Sequence, residues 1–446
     1  MAQISSAARE ILLEEKDEPV GVAAVGLPKS IPMSESEVTT QPAISLQRKR
    51  PHGPDLSVPE RKKKPPASDV TIDLTTLPDT KYYFENGLRK VEPYHFTWTT
   101  YAKGRWVGRM IEEVFLEEFF SVNEEVTKAR VHADPCNVFV NGIRSNVQHK
   151  IKNSDYIAHY MHRHEMPVTA EPIKIIAETD DMLVVDKPAS IPVHPCGRFR
   201  MNSVTFILAV EFGRTGLRIA HRLDRLTSGL LIFTKNIAAS QGIHVQMEDR
   251  SVRKEYIARV AGEFPAEQIV CSEPIDCVNI RAGVYQVRAS GKHSVTSFDR
   301  LSFDPESNTS IVHCKPRTGR THQIRVHLQH IGYPIVNDPF YGAKSTFTGK
   351  DAAVEYGKDD ALGPAFADEC QKQLFTKCTT LPDRPWIDPK CPECWLDFAD
   401  PKPEDMRIDL HAWKYEGPGW KFATELPFWA KDVTVLPART NPPPSW

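Results

Sequence analysis

The rhythm of apolar and polar positions changes several times along the chain. Over residues 1–78 no period is sustained and Pro, Ser, Glu and Lys dominate. Such a segment cannot bury a core, so a disordered basic tail is expected there. Residues 105–120 (RWVGRMIEEVFLEEFF) place Val107, Met110, Ile111, Val114 and Phe115 at helical spacing. Residues 137–142 (NVFVNG) read as a strand and turn, and Ser154-Asp155-Tyr156-Ile157 opens another strand that ends at His162-Arg163-His164-Glu165. From residue 169 strands dominate. MLVVDKP (182–188) is a continuous apolar run, RKEYIARV (253–260) alternates with Tyr256, Ala258 and Val260 on one face, and 297–303 and 309–316 add two more. THQIRVHLQHI (321–331) reads as a helix capped by Thr321, with Ile324, Leu328 and Ile331 as its stripe and Gly332 as its stop. Residues 341–405 are polar and rich in Asp, Lys and Pro, the pattern of an insertion, and 408–430 returns to a strand pair around a Gly turn. Many strands with few helices predict an α+β fold around a mixed, mainly antiparallel sheet. Three parts are expected: the tail 1–78, a small α+β module at 79–168, and a domain at 169–446 that carries the insertion.

Composition narrows the classes. With 446 residues and 40% apolar content the chain can build two or three domains. It holds no run of 18 apolar residues, so no membrane span is expected. Its first residues, MAQISSAAREILLEEKDEP, have no apolar signal core and too many acids for a mitochondrial transit peptide. Net charge is −2, so any basic surface must be local. Two basic clusters in the tail, Arg48-Lys49-Arg50 and Arg61-Lys62-Lys63-Lys64, are spaced like a two-part nuclear import signal, and would otherwise serve as an RNA-attracting arm. Nucleus and/or cytoplasm is the expected location. Nine cysteines suggest reduced thiols or a metal site and not a disulfide framework. Cys391-x-x-Cys394 is half of a tetrahedral zinc site that Cys370 and Cys378, or His411, could complete; free thiols in an insertion are the other reading.

The candidate chemistry lies in IAHRLDRLTSGLLIFTKN (219–236). Asp224 stands between Arg222 and Arg225, ahead of a polar turn and the apolar run Leu230-Leu231-Ile232-Phe233. Taken alone this is a surface ion cluster worth about 0–1 kcal/mol. A carboxylate at the mouth of a buried strand is, however, partly desolvated and held ionised by its guanidinium neighbours, as nucleophilic or basic chemistry requires.

HRLDRLTSGLLIFTK resembles the catalytic motif of RluA-type RNA pseudouridine synthases, and four further motifs follow that family's order. GRTHQIRVHL (319–328) is similar to its later arginine motif, VVDKPASIPVHP (184–195) to its first strand motif, RKEYIARV to its Lys-x-Tyr element, and LHAWKY to its C-terminal strand. Together they cover roughly half the chain. The 79–168 module resembles an S4-like RNA-binding domain, and the whole looks most like eukaryotic members that act on tRNA or mRNA. The resemblance implies that Asp224 is the catalytic aspartate, Tyr256 the residue stacking on the uracil, and Arg325 the partner of the aspartate. It further implies that Arg222 helps extrude the base, and that Lys187, Ile324, Arg320 and His322 contact substrate. Ser190 stands where the family usually has Gly. The implied reaction breaks the bond from ribose to uracil N1 and joins the same carbon to C5, after the base has left the stack at a cost of about a few kcal/mol. Whether Asp224 attacks sugar or ring, or removes a sugar proton, is left open. Isomerisation consumes nothing, so no cofactor is required, no dinucleotide is expected, and any zinc at Cys391 and Cys394 would be structural. The expected partner is RNA and the expected state monomeric. A zinc nucleobase deaminase would need His-x-Glu and Pro-Cys-x-x-Cys, which the chain lacks; an RNA-binding protein without turnover is the remaining alternative.

Overall fold

The apolar runs between residues 174 and 423 assemble into one ten-stranded sheet. It is seen in a computed structural model that describes residues 72, 77, 80–119, 124–132, 137–279, 283–342 and 375–433. The basic clusters of the tail lie outside the described residues. Across the sheet run Ile269–Cys271, Thr296–Asp304, Thr309–Pro316, Arg253–Ala261, Leu410–Gly417, Ser228–Thr234, Met182–Lys187 and Lys174–Glu178, with Arg218–Ile219 and Trp420–Ala423 paired beside this path. Ser228–Thr234 runs parallel to Leu410–Gly417, and the other named pairs are antiparallel. The fold is therefore α+β around a mixed, mainly antiparallel sheet.

One register decides the site. Gly229 pairs with Ala412, and Ala412 pairs on its other side with Tyr256. A side chain at 229 is excluded twice over: φ is +110°, and a Cβ there would meet the Ala412 carbonyl oxygen at 2.2 Å. Glycine thus lets the strand after Asp224 lie flat against the strand that separates it from Tyr256. Ser228 and Gly229 belong to the strand, and the turn expected there sits earlier, closed by Thr227 N–H donating to the Asp224 carbonyl at 3.1 Å.

Two apolar clusters pack on this sheet. One gathers Leu183–Val185, Leu230–Phe233, Ala412 and Tyr415; the other gathers Ala258, Val260, Phe298, Val312, Ile324, Leu328 and Leu410. Tyr256 packs against both. Helix Val204–Phe212 is buried on every side along its first six residues, so no 3.6 period marks it in the sequence. Helix Ile237–Glu248 is capped by Asn236, whose side chain accepts from Ala239 N–H at 2.8 Å.

The N-terminal module holds a four-stranded antiparallel sheet, ordered Tyr94–Tyr101, Tyr156–Arg163, Val138–Val140, Ile143–Arg144. Asn141 and Gly142, both at positive φ (51° and 88°), make the tight hairpin turn that NG predicts. The helix expected over 105–120 is shorter. Gly104–Trp106 is a single 3₁₀ turn, Gly108 at φ 86° breaks the path, and the helix proper is Ile111–Glu118. The break lets Trp106 turn inward to full burial beside Ile111, Val114 and Phe115. A small sheet of Tyr82–Glu85, Leu88–Val91 and Val168–Thr169 follows the chain into the large domain. In the insertion, Phe375–Lys377 pairs with Leu396–Phe398.

Candidate active site

Asp224 leaves the turn with its carboxylate partly exposed, 29% at the side chain. Behind it lies Lys187, fully buried at the end of strand Met182–Lys187. Its ammonium donates to the carbonyls of Pro188 and Ile191, both at 2.9 Å, and of Arg225 at 3.2 Å. Burial pushes this amine down to about 7, yet three accepting carbonyls match the three N–H bonds of the ammonium, one more than a neutral amine has. Lys187 therefore pins the residue after Asp224 to the sheet. The expectation that it contacts substrate is corrected: it has no exposed surface and its donors are occupied. Ser190 is likewise buried. Its φ of 70° explains the family's glycine, and its hydroxyl accepts from Thr169 N–H at 2.8 Å, so it faces the interior and not a ligand.

Arg325 reaches Asp224 from helix Gln323–His330. Nη1 donates to Asp224 Oδ2 at 3.0 Å, while Nε and Nη2 donate to the two oxygens of Asp338 at 2.7 and 2.9 Å. Asp338 Oδ1 also accepts from the backbone N–H groups of Phe340 and Tyr341 at 2.9 and 3.0 Å. Arg325 and Asp338 are 3% and 0% exposed at the side chain, so the guanidinium is locked from behind and offers one donor edge to the cleft. Thr321 does not cap this helix. The cap is His322, in the left-handed conformation at φ 56°, which turns its ring toward the aspartate. His322 Nε2 lies 3.7 Å from Asp224 Oδ2, and Nδ1 is 2.9 Å from the Tyr341 hydroxyl. That hydroxyl also accepts from Tyr285 N–H at 3.0 Å, which fixes it beside the imidazole. Burial holds His322 down to about 4, so the ring is neutral at neutral pH. For Asp224, burial pushes its carboxyl up, but His322, Arg325 and Lys187 outweigh it and hold the group below the usual carboxylate value.

Tyr256 forms the facing wall. Its hydroxyl is hydrogen-bonded to that of Tyr415, itself fully buried, and burial pushes the Tyr256 phenol up to about 12, so it stays protonated. Lys254, two residues earlier on the same strand face, also lines the cleft, and burial lowers its amine. His411 bridges Ser228 Oγ at 2.9 Å and Thr424 Oγ1 at 2.7 Å, which ties the Asp224 strand to the Tyr256 side of the sheet.

The cleft between these walls has a volume of about 750 Å³. Among the described residues lining it, Asp224 is the one carboxylate, against the cations Arg222, Lys254, Arg320 and Arg325. An anionic ligand is favoured at the rim while a single ionised carboxylate waits at depth. Seven of the eight residues named from the sequence for catalysis and substrate meet here: Asp224, Tyr256, Arg325, Arg222, Ile324, Arg320 and His322. Arg222 and Arg320 are exposed, whereas Ile324 is 7% exposed and packs in the wall. Sequence reasoning missed Asp338, Tyr341, Tyr285 and Lys254. Lys254 was legible at i−2 of Tyr256; the other three sit in segments with no periodic signal. Cys391 and Cys394 lie outside the cleft lining. Their neighbours are His162 and His164 and not Cys378 or His411, which is taken up between Ser228 and Thr424; Cys370 falls outside the described residues.

The profile of the family described as RNA pseudouridylate synthase matches residues 181–330. Pseudouridylate synthase RPUSD2 of Mus musculus is 39% identical, over 92% of this chain and 84% of that protein. RPUSD2 of Homo sapiens is 40% identical, over 84% and 79%. The mitochondrial tRNA pseudouridine(32) synthase of Saccharomyces cerevisiae is 37% identical, over 79% of each chain.

Proposed function

Because this chain belongs to the RNA pseudouridylate synthase family and is therefore an RNA pseudouridine synthase, we propose that the cleft around Asp224 isomerises a flipped-out uridine, with tRNA as the first substrate. The observation that carries the assignment of the site is the Asp338–Arg325–Asp224 chain opposite Tyr256. The bond between ribose C1′ and uracil N1 breaks, C1′ joins C5, and the proton lost from C5 is replaced by one at N1, so composition is unchanged. Asp224 supplies the ionised carboxylate, and Arg325 keeps it ionised and aimed. The Tyr256 ring offers the detached uracil a flat surface on which to turn without leaving. Arg222, exposed at the rim, takes the place of the departed base, while Arg320 and Lys254 face the phosphates. The reaction consumes nothing and draws on no cofactor; any zinc the chain binds would serve structure.

The tRNA reading is supported by the name of the yeast relative, a tRNA pseudouridine(32) synthase; mRNA is the second substrate class. The 79–168 module extends the RNA contact. The basic clusters of the tail direct the chain to the nucleus, and a fluorescent fusion in which Lys62, Lys63 and Lys64 become alanine should move to the cytoplasm. The central test is Asp224→Asn. Pseudouridine formation on tRNA should vanish while RNA affinity stays within about tenfold, or ~1.4 kcal/mol, since phosphate contacts carry most of the binding. Pseudouridine made at the wild-type rate by this variant would overturn the assignment of Asp224. Mapping of pseudouridine in cellular RNA with and without the protein separates tRNA from mRNA targets.

A further inference from the structure

The chain holds a second cluster of chemically competent side chains. His162 and His164, at the end of strand Tyr156–Arg163, meet Cys391 and Cys394 of the insertion, and their four ligand atoms lie within 4.8 Å of one another. Cys394 Sγ is 3.4 Å from His162 Nδ1 and 3.5 Å from His164 Nε2, and Cys391 Sγ is 3.5 Å from the same His164 nitrogen. In a tetrahedron with metal–sulfur bonds of about 2.3 Å and metal–nitrogen bonds of about 2.0–2.1 Å, sulfur and nitrogen stand about 3.5 Å apart. Three sulfur–nitrogen pairs already stand at that spacing, and the widest pair, within 4.8 Å, needs a closure of about 1 Å to share one ion. Both cysteines and His162 are buried, at 5, 3 and 8% exposure.

The surroundings fit a bound ion. Asp388 N–H points at Cys394 Sγ at 3.4 Å, and Cys394 N–H closes the Cys-x-x-Cys turn on the Cys391 carbonyl at 3.2 Å. The Asp388 amide, turned toward sulfur, stabilises thiolate charge. We propose that His162, His164, Cys391 and Cys394 bind one zinc ion. Two soft thiolates and two imidazoles form the donor set that zinc takes in tetrahedral coordination. Four protein ligands close its coordination shell, so the ion is structural and not catalytic.

The position gives the ion its purpose. In the run HRHE the two histidines alternate with two residues that grip a different segment. Arg163 donates to the Gly197 carbonyl at 2.7 Å, and Glu165 accepts from the backbone N–H groups of Arg200, Met201 and Asn202 at 2.8–3.0 Å. Glu393, inside the Cys-x-x-Cys turn, is fully buried and pairs with Arg130 of the N-terminal module at 2.7 Å and with Arg198 at 3.7 Å. One ion would thus join the end of the N-terminal module to the insertion, and the residues that alternate with its ligands hold both to the 196–202 loop of the large domain. The insertion is polar, and its described residues make one short strand pair, so the metal supplies the cohesion that an apolar core would otherwise give.

Full-length protein purified without added metal or metal-chelating resin should carry near one zinc per chain by elemental mass spectrometry. Cys391→Ser and His164→Ala should lower that content severalfold. Cys378→Ser should leave it unchanged, and His164→Cys should retain it. Cobalt(II) exchanged into the wild-type chain should give a thiolate charge-transfer band that persists in the last two variants. Should the ligand variants fail to fold, a chelator added to folded wild-type protein should release one zinc and make two thiols newly open to alkylation, mapping to Cys391 and Cys394. Metal-free wild-type protein whose 375–398 segment resists protease would overturn the proposal. So would zinc content indifferent to Cys391→Ser, or alkylation of both thiols as fast before chelation as after it.

Discussion

Asp338→Asn removes the group that locks Arg325 from behind. In the native protein the carboxylate accepts two guanidinium bonds, at 2.7 and 2.9 Å, and two backbone bonds, at 2.9 and 3.0 Å. Asparagine keeps its size but has a single oxygen, and its amide N–H must face either the guanidinium or the amides of Phe340 and Tyr341, donor against donor. The pair is almost wholly buried, so the loss should lie at the low end of breaking a buried ion pair, about 3 kcal/mol. Arg325 then has Asp224 as its one carboxylate partner and can pivot. A displacement near 1 Å of a positioning group costs about 10²-fold in rate, or ~2.7 kcal/mol of barrier. The assay is single-turnover pseudouridine formation on a tRNA transcript, well below the unfolding midpoint, with the midpoint and RNA affinity measured on the same preparation. Both rate and midpoint should fall while affinity stays within about tenfold. An unchanged midpoint would refute the energetic argument. A lowered midpoint with a wild-type rate would refute the claim that Asp338 positions the aspartate through Arg325.

Tyr256→Phe keeps the ring and loses the bond to Tyr415, about 1 kcal/mol; Tyr256→Ala also loses the stacking surface and the ring's packing on both apolar clusters, at a cost below the roughly 3–5 kcal/mol of a fully buried aromatic because one face opens on the cleft. Alanine should therefore cost far more rate in the same assay, and equal, negligible losses would remove the stacking role. Lys187→Met should lower the free energy of unfolding, read from urea titration, by about 3 kcal/mol, because up to three buried carbonyls lose their donor; a weakened RNA affinity with an unchanged unfolding free energy would instead return Lys187 to the substrate surface. Asp224 is held below the usual carboxylate value, so its ionised form is complete above that value and is lost only as pH falls through the lowered one. The rate should show no acid limb from Asp224 between pH 8 and about 5, and Arg325→Gln should move that limb upward. A wild-type limb near pH 6 would contradict the Arg325 argument.

Much of this protein is written locally. Asn141-Gly142 turns a hairpin because both residues tolerate positive φ, and the alternation in RKEYIARV makes a strand with Tyr256 and Lys254 on one face. The ordered motifs named Asp224, Tyr256 and Arg325, since each lies in a short run whose pattern depends on near neighbours. Other features depend on partners that no local pattern can announce. The helix Val204–Phe212 shows no amphipathic stripe because the domain buries every side of its first six residues. Lys187 reads as a cation available to RNA, until the fold surrounds it with three carbonyls and leaves it no exposed surface. Asp224 and Arg325 are 101 residues apart, and what aims one at the other is Asp338, in a loop with no period. Cys394 and His162 are 232 residues apart, so Cys-x-x-Cys showed half a ligand set and only the packing of the insertion against the module supplied the rest. Sequence spacing sets which way a side chain faces along its own element; which side chains then meet is set by sheet register and packing, to which the whole chain contributes.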